Sequence, residues 1–132
     1  MAETASERTV LRAVSSRWTP VVDFFLDSYR KLGISNLEAM FIIHLLRFKW
    51  TAEMPYPSFK RIARMMGVSA TAVRGHARRL EKKGLIKRKE QVGTTNRFDL
   101  LPLFQALERL QIELEQTGAE TPAEVAASDV VF

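Results

Sequence analysis

The chain has no cysteine, only two histidines among 132 residues, and no long hydrophobic run. Without cysteine, disulfide bonds and thiolate metal sites are excluded, which fits a reducing compartment, and we expect the cytoplasm. The two histidines have no carboxylate cluster beside them, so the sequence predicts no metal site. No apolar run approaches the about 20 residues that cross a bilayer, and Glu3 and Glu7 make the N-terminus unlike a secretory signal. We therefore expect no membrane contact.

Catalytic motifs are also missing. The sequence contains no glycine-rich phosphate loop, nucleophile elbow or zinc-protease motif. Asp23 and Asp27 lie four residues apart, but on an amphipathic helix this spacing is typical of a solvated surface. His44 and His76 fall on or beside apolar helical stripes, where a packing role is expected. We therefore predict that the chain is not an enzyme and uses no cofactor, and we identify no small-molecule ligand.

Positive charge is concentrated in one part of the chain. Of the 20 Lys and Arg residues, 12 lie between residues 58 and 98 with two acidic residues, a local charge of +10. The remaining residues hold eight basic and thirteen acidic side chains, a charge of −5. A generally solvated surface would spread the charges evenly, whereas a basic module is typical of proteins that bind a polyanion.

The basic part of the chain has the spacing of a helix-turn-helix. A first helical pattern starts at Ser58, a favourable N-cap, and stops at Gly67, which suits a left-handed position at a helix end. Ser69 then suits the N-cap of a second helix, predicted over residues 70–83. The apolar stripe of this second helix predicts one buried side and consists of Val73, Ala77 and Leu80.

Two short strands are predicted after the second helix, over residues 85–90 and 97–100, around a turn-rich loop. The pattern YPSFKRIARMMGVSATAVRGHARRLEKKGLI, followed by NRFDL, resembles the winged-helix domains of bacterial transcription regulators and of plasmid or phage replication initiators. The preceding residues 32–49 are similar to the N-terminal domain of DnaD-type replication proteins. The resemblance covers roughly residues 32–100. It implies a mainly α fold with a small β-hairpin wing, a winged helix-turn-helix with flanking N- and C-terminal helices.

The flanking segments carry helix signals of their own. Thr19-Pro20 predicts a helix start and Gly33 its end. Ser35 and Glu38 have the spacing of a capping box for the next helix. The buried stripe of that helix is predicted as Leu37, Met40, Phe41, His44, Leu45 and Phe48. The predicted organisation is an N-terminal arm at 1–16, the winged helix-turn-helix domain with its flanking helices at 17–116, and a flexible acidic tail at 117–132.

Aromatic and leucine side chains of the flanking helices are candidates for a dimer contact. The aromatic surface of the first helix exceeds what one small helix usually buries, and leucines recur with heptad spacing in the last helix. Both patterns also fit packing on the core of the same domain. Because winged-helix regulators often dimerise through flanking helices, the resemblance favours a homodimer. The predicted contacts are Phe24, Phe25, Leu103, Leu107, Leu110 and Leu114.

The exposed face of the second motif helix is the predicted DNA-reading surface. In helix-turn-helix docking the first residues of this helix meet base edges, and the arginine fork matches guanine. The predicted base-reading residues are Ala70, Thr71, Arg74 and Arg78. The predicted backbone contacts are Ser58, Lys60, Arg61, Ser69, Gly75, Arg79 and Lys82. The predicted wing contacts are Lys87, Arg88, Lys89, Thr94, Thr95, Asn96 and Arg97.

Gly75 is unusual because glycine inside a helix costs about 1 kcal/mol relative to alanine. Close approach to a DNA backbone would explain it, and so would simple tolerance in a helix held by tertiary packing.

These features predict a protein that binds double-stranded DNA with sequence specificity. The main hypothesis is a dimeric transcription regulator that reads the major groove with residues 70–83 and contacts the backbone or minor groove with residues 85–100. The alternative is a replication initiator or accessory protein of plasmid, phage or DnaD type that binds origin DNA. A third hypothesis is a winged helix used for protein interaction or RNA binding.

Overall fold

The computed structural model of the chain describes residues 4–8, 18–49, 58–89 and 97–118. Its helices are α1 Asp23–Ser28, α2 Asn36–Lys49, α3 Phe59–Met66, α4 Ala70–Lys82 and α5 Leu101–Gln116. Strands β1 Lys87–Lys89 and β2 Arg97–Asp99 form an antiparallel hairpin between α4 and α5. This order confirms the predicted fold class, a mainly α domain with a helix-turn-helix, a small hairpin and helices on both sides.

The helix-turn-helix is confirmed down to its caps. The Ser58 hydroxyl accepts a hydrogen bond from the N–H of Arg61 at 3.2 Å, and α3 ends at Gly67, whose φ is +70°. The Ser69 hydroxyl accepts from the N–H of Ala72 at 3.1 Å and starts α4. The local hydrogen-bonding capacity of serine and the left-handed freedom of glycine therefore set both ends of the turn.

The apolar side of α4 is the centre of the core. Val73, Ala77 and Leu80 are completely buried, and α4 packs against both α2 and α3. Burial of these three side chains on one face leaves the opposite face of α4 to solvent, as the sequence predicts.

The hairpin is attached to the core through Phe98. The Phe98 ring is buried and meets the edge of Phe41 at a centroid distance of 6.2 Å and the ring of Phe59 at 5.9 Å. The strand register places Arg88 opposite Phe98 and Lys89 opposite Arg97. Since side chains alternate along a strand, Arg88 and Phe98 share the inner face and Lys89 and Arg97 the outer face.

The predicted start of the first helix is wrong. The helix begins at Asp23, after Val22 in an extended conformation (φ −70°, ψ 136°), and not at Thr19-Pro20. The β-branched pair Val21-Val22 favours extended backbone and delays the helix. Gly33 is left-handed as expected (φ +77°), but it closes a turn that follows the helix.

The predicted buried stripe of α2 is wrong at Leu37 and Met40, whose side chains are 52% and 45% exposed. His44 is half-buried, and Phe41 and Leu45 are buried as predicted. Because α2 is apolar almost all round, its sequence period does not determine which face turns inward. The buried face instead consists of Glu38, Ala39, Phe41, Ile42, Leu45 and Leu46.

The structure corrects the predicted dimer contacts at three positions. Phe25, Leu103 and Leu107 retain only 2%, 1% and 5% exposure within a single chain, so they already belong to its core. Helix α1 packs against α5, which accounts for this burial. Phe24, Leu110 and Leu114 are half-buried, and their role in a dimer stays a prediction.

Several predictions lie outside the described residues: the contacts of Thr94, Thr95 and Asn96, the packing of the Phe48 side chain, and most of the 1–16 arm and the 117–132 tail. Within the arm, residues 5–8 form a helical turn in which Thr4 and Glu7 cap each other reciprocally. Among the described helices, none has the length and apolar character needed to cross a bilayer.

Candidate nucleic-acid interface

The outward face of α4 carries most of the predicted base-reading residues. Thr71, Arg74 and Arg78 are exposed, and Ala70 is half-buried at the start of the helix. Lys82 is exposed one turn beyond Arg78 and extends the cationic row along the helix. This face is opposite the buried apolar side, which is the arrangement that a groove-binding helix needs.

Helix α3 adds cations beside the N-terminal end of α4. Lys60, Arg61 and Arg64 are exposed. Lys60 and Arg64 line an open depression between α3 and the first residue of α4 together with Ala63, Val68 and Ala70. Ser58 and Ser69, predicted to contact the DNA backbone, use their hydroxyl oxygens to cap the two helices. Cationic side chains therefore reach the part of α4 that is predicted to meet DNA.

The hairpin presents three of its four cations outward. Lys87, Lys89 and Arg97 are exposed on the strands. Arg88 is turned inward: its Nη2 donates to Glu81 Oε1 at 2.9 Å, and its guanidinium lies 5.6 Å from the centre of the Phe98 ring. An ion pair and a cation–π contact thus hold Arg88 against α4 and the core, an arrangement that disfavours the predicted DNA contact.

Arg79 is also engaged within the protein. Its Nε donates to Glu38 Oε2 at 3.1 Å, and its Nη2 lies 2.7 Å from Nδ1 of His76. A Cβ atom added at Gly75 would lie 3.1 Å from Arg79 Nη1. The glycine therefore leaves room for the Arg79 guanidinium, which accounts for Gly75 without DNA. The Arg79 side chain is 54% exposed, so this contact by itself does not contradict its predicted role at the DNA backbone.

Glu38 connects the start of α2 to the end of α4. The predicted capping box is present: Glu38 Oε1 accepts from the Ser35 N–H at 2.9 Å, and the Ser35 hydroxyl accepts from the Glu38 N–H at 3.1 Å. Lys83 Nζ also donates to Glu38 Oε1, at 3.0 Å, and to the carbonyl oxygen of Gly33. We call the residues Glu38, Arg79 and Lys83 the Glu38 cluster.

The surroundings of Glu38 strongly favour the ionised form of its carboxyl group. Burial by itself raises the pKa of Glu38, but the Ser35 N–H, Lys83 and Arg79 outweigh it and lower the pKa to about 2. Burial, and then the charge of Arg79, lower the pKa of His76, with Glu38 acting in the opposite direction. His76 is thus a neutral, buried acceptor for a hydrogen bond from Arg79. Among the described residues, no three metal-ligating side chains come together.

Comparison with known proteins assigns this architecture to a family. The DnaD N-terminal domain family matches residues 21–119. The chain belongs to this family. A similar solved structure is the crystal structure of the N-terminal domain of DnaD protein from Geobacillus kaustophilus HTA426, with a TM-score of 0.66 and 25% identity over 89% of this chain and 98% of that one. No curated protein shows significant similarity to the chain.

Membership in the DnaD N-terminal domain family confirms the resemblance seen in residues 32–49 and extends it over the flanking helices. It favours the replication alternative over the transcription regulator. The structural match supports the same fold along most of the chain.

The sequence did not predict the Glu38 cluster within this DnaD-type domain. The local spacing identifies Glu38 as a capping residue, and no sequence pattern assigns a role to Lys83. The signals were a charged residue on an otherwise apolar helix face and two cations spaced i, i+4 at the end of α4, a spacing that puts both on one side of the helix.

Proposed function

We propose that the chain is a replication-associated, DnaD-type module that binds duplex DNA through α4, α3 and the hairpin. The observation that carries the proposal is the outward cationic face of α4, opposite a fully buried apolar side. Arg74, Arg78 and Lys82 lie on this face, and Lys60 and Arg64 flank its N-terminal end. The proposed role is binding, without a catalytic step.

The proposed docking follows from the shape of the motif. The first turns of α4 enter the major groove, where Thr71 and Arg74 meet base edges and the Arg74 guanidinium pairs with O6 and N7 of a guanine. The exposed hairpin cations Lys87 and Lys89 lie along phosphates. Cationic contacts of this kind displace counterions and make the affinity depend on salt.

Salt dependence tests the proposal directly. Fluorescence anisotropy of labelled duplex DNA, titrated at several salt concentrations, is expected to give a slope of log K against log salt of about −5 to −8 if about six to nine phosphates are contacted. A salt-insensitive complex, or no binding at low salt, would contradict duplex binding. A single-stranded DNA and an RNA duplex of equal length serve as competitors.

Selection from random duplexes tests the choice between replication and transcription. We expect the selected duplexes to contain repeated sites in direct orientation, the arrangement expected at a replication origin. A palindrome found at promoters and bound by a dimer would favour the transcription regulator instead.

A protein-interaction role is a second candidate, favoured by apolar side chains on the surface. Besides Leu37 and Met40 on α2, Trp18 is 74% exposed and Val22 and Leu26 are exposed on and before α1. Replacing Leu37 and Met40 with serine is expected to leave DNA affinity unchanged and to remove binding to a protein partner. Loss of DNA affinity in this variant would contradict the separation of the two surfaces.

A further inference from the structure

The two i, i+4 cation pairs at the end of α4 have different environments. Arg78 and Lys82 are exposed on the outward face. Arg79 and Lys83, one residue further along, are rotated by about 100° and lie on the flank of the helix. Their side chains are also exposed, by 54% and 37%, but both are paired with Glu38. That flank faces the start of α2, since both side chains reach Glu38.

The Glu38 carboxylate can hold both flank cations at once. It is only 2% exposed, and its two oxygens divide the donors: Arg79 Nε on Oε2, and Lys83 Nζ with the Ser35 N–H on Oε1. Further contacts fix the cations, Arg79 with His76 and Lys83 with the carbonyl oxygen of Gly33. Moving either cation to a phosphate would leave part of a buried negative charge uncompensated, which is strongly unfavourable.

We infer that Glu38 withholds Arg79 and Lys83 from the nucleic acid, so that Arg74, Arg78 and Lys82 alone form the DNA-contacting cations of α4. This inference rests on the proposed function. Glu38 is a positioning residue: it touches no DNA, and it decides which cations of the helix can. A uniformly cationic helix would bind any polyanion more tightly, and withholding two charges limits this sequence-independent part of the affinity.

Three variants test the inference by their salt slopes on one random duplex, after circular dichroism shows that each is folded. Glu38→Gln releases both cations and is expected to make the slope steeper by about 1 to 2. The triple variant Glu38→Gln, Arg79→Gln, Lys83→Gln removes the released cations without leaving an unpaired buried charge. It is expected to restore the wild-type slope.

The matched control is Arg78→Gln with Lys82→Gln, which removes the i, i+4 pair one position earlier. We expect it to make the slope shallower by about 2. If the salt slope of the triple variant is as shallow as that of this control, the inference is overturned, because Arg79 and Lys83 would then contact phosphates in the wild type. If Glu38→Gln does not fold, comparing the salt slopes of the triple variant and the control with that of the wild type still tests the inference.

The experiment also separates the inference from the proposed function. Wild-type binding with no difference between the wild type and a folded Glu38→Gln variant would overturn the withholding alone. Binding by Glu38→Gln and not by the wild type would support the withholding and contradict the proposed function. Absence of binding in both would overturn both.

Discussion

Glu38 shows which residue-scale features can be predicted from this sequence. Its capping box with Ser35 depends on a spacing of three residues, and the structure confirms both hydrogen bonds. Its ion pairs with Arg79 and Lys83 join residues 41 and 45 positions apart. Local hydrogen bonds depend on the neighbouring sequence, whereas such tertiary contacts depend on how α2 and α4 pack, so they were not predictable from the pattern.

Replacing Glu38 with glutamine is expected to destabilise the fold by about 2–3 kcal/mol at pH 7. The pKa of Glu38 is lowered from 4.5 to about 2 on folding. The native state therefore binds fewer protons, and the stabilisation is complete above about pH 5 and disappears as the pH falls from about 4.5 to about 2. Urea unfolding across this pH range should show that the free energy of unfolding falls less with acid in the variant than in the wild type.

The control for this measurement is Glu81→Gln, since Glu81 pairs with Arg88 and is half-buried. It should cost less than about 1 kcal/mol, as expected for a partly exposed ion pair. Equal effects of the two substitutions would contradict a special role for Glu38.

Gly75→Ala tests why a glycine stands inside α4. Alanine should add about 1 kcal/mol of helix stability, but its Cβ would crowd Arg79 Nη1 at 3.1 Å. We expect little or no gain in the wild type and a gain of about 1 kcal/mol in an Arg79→Ala background, measured by thermal and urea unfolding. The same gain in both backgrounds would show that Arg79 does not explain the glycine.

At the scale of whole elements, capping signals were more informative than hydrophobic periods. The bounds of α3 and α4 follow from Ser58, Gly67 and Ser69, whose conformations are local properties. The inward face of α2 was mispredicted because apolar residues surround most of that helix. A helix of this kind is oriented by its neighbours, here by α4, and its sequence alone does not define the orientation.

Helix α4 and the hairpin should contribute to DNA binding in different ways. Arg74→Ala is expected to cost about 1–3 kcal/mol on a specific site and to relax one base position, whereas Lys87→Ala should weaken all sequences alike and reduce the salt slope by about 1. Arg88→Met should leave affinity unchanged, since Arg88 contacts Glu81 and Phe98. Anisotropy titrations on specific and random duplexes check all three, and equal loss on every sequence for Arg74→Ala would exclude base reading.

At the scale of the whole molecule, the fold class and the concentration of positive charge are predictable from the sequence. Whether the flanking helices pack on the core or form a dimer contact is not. Leucines at heptad spacing fit a core and a dimer equally well, because both require one apolar stripe. The packing of α1 on α5 determines the outcome at Phe25, Leu103 and Leu107, which are buried within one chain.

The second half of α5 remains the place to test a homodimer. Leu110 and Leu114 are half-buried and Ile112 is 45% exposed there. If this part of α5 joins two chains, Leu110→Glu with Leu114→Glu should raise the dimer dissociation constant at least tenfold, about 1.4 kcal/mol, in sedimentation equilibrium. Gln105→Glu with Gln111→Glu adds the same charge at exposed positions of α5 and should leave dissociation unchanged. If the wild-type chain sediments as a monomer, or if both variants dimerise equally, the apolar stripe of α5 packs only on the core of its own chain and forms no dimer contact.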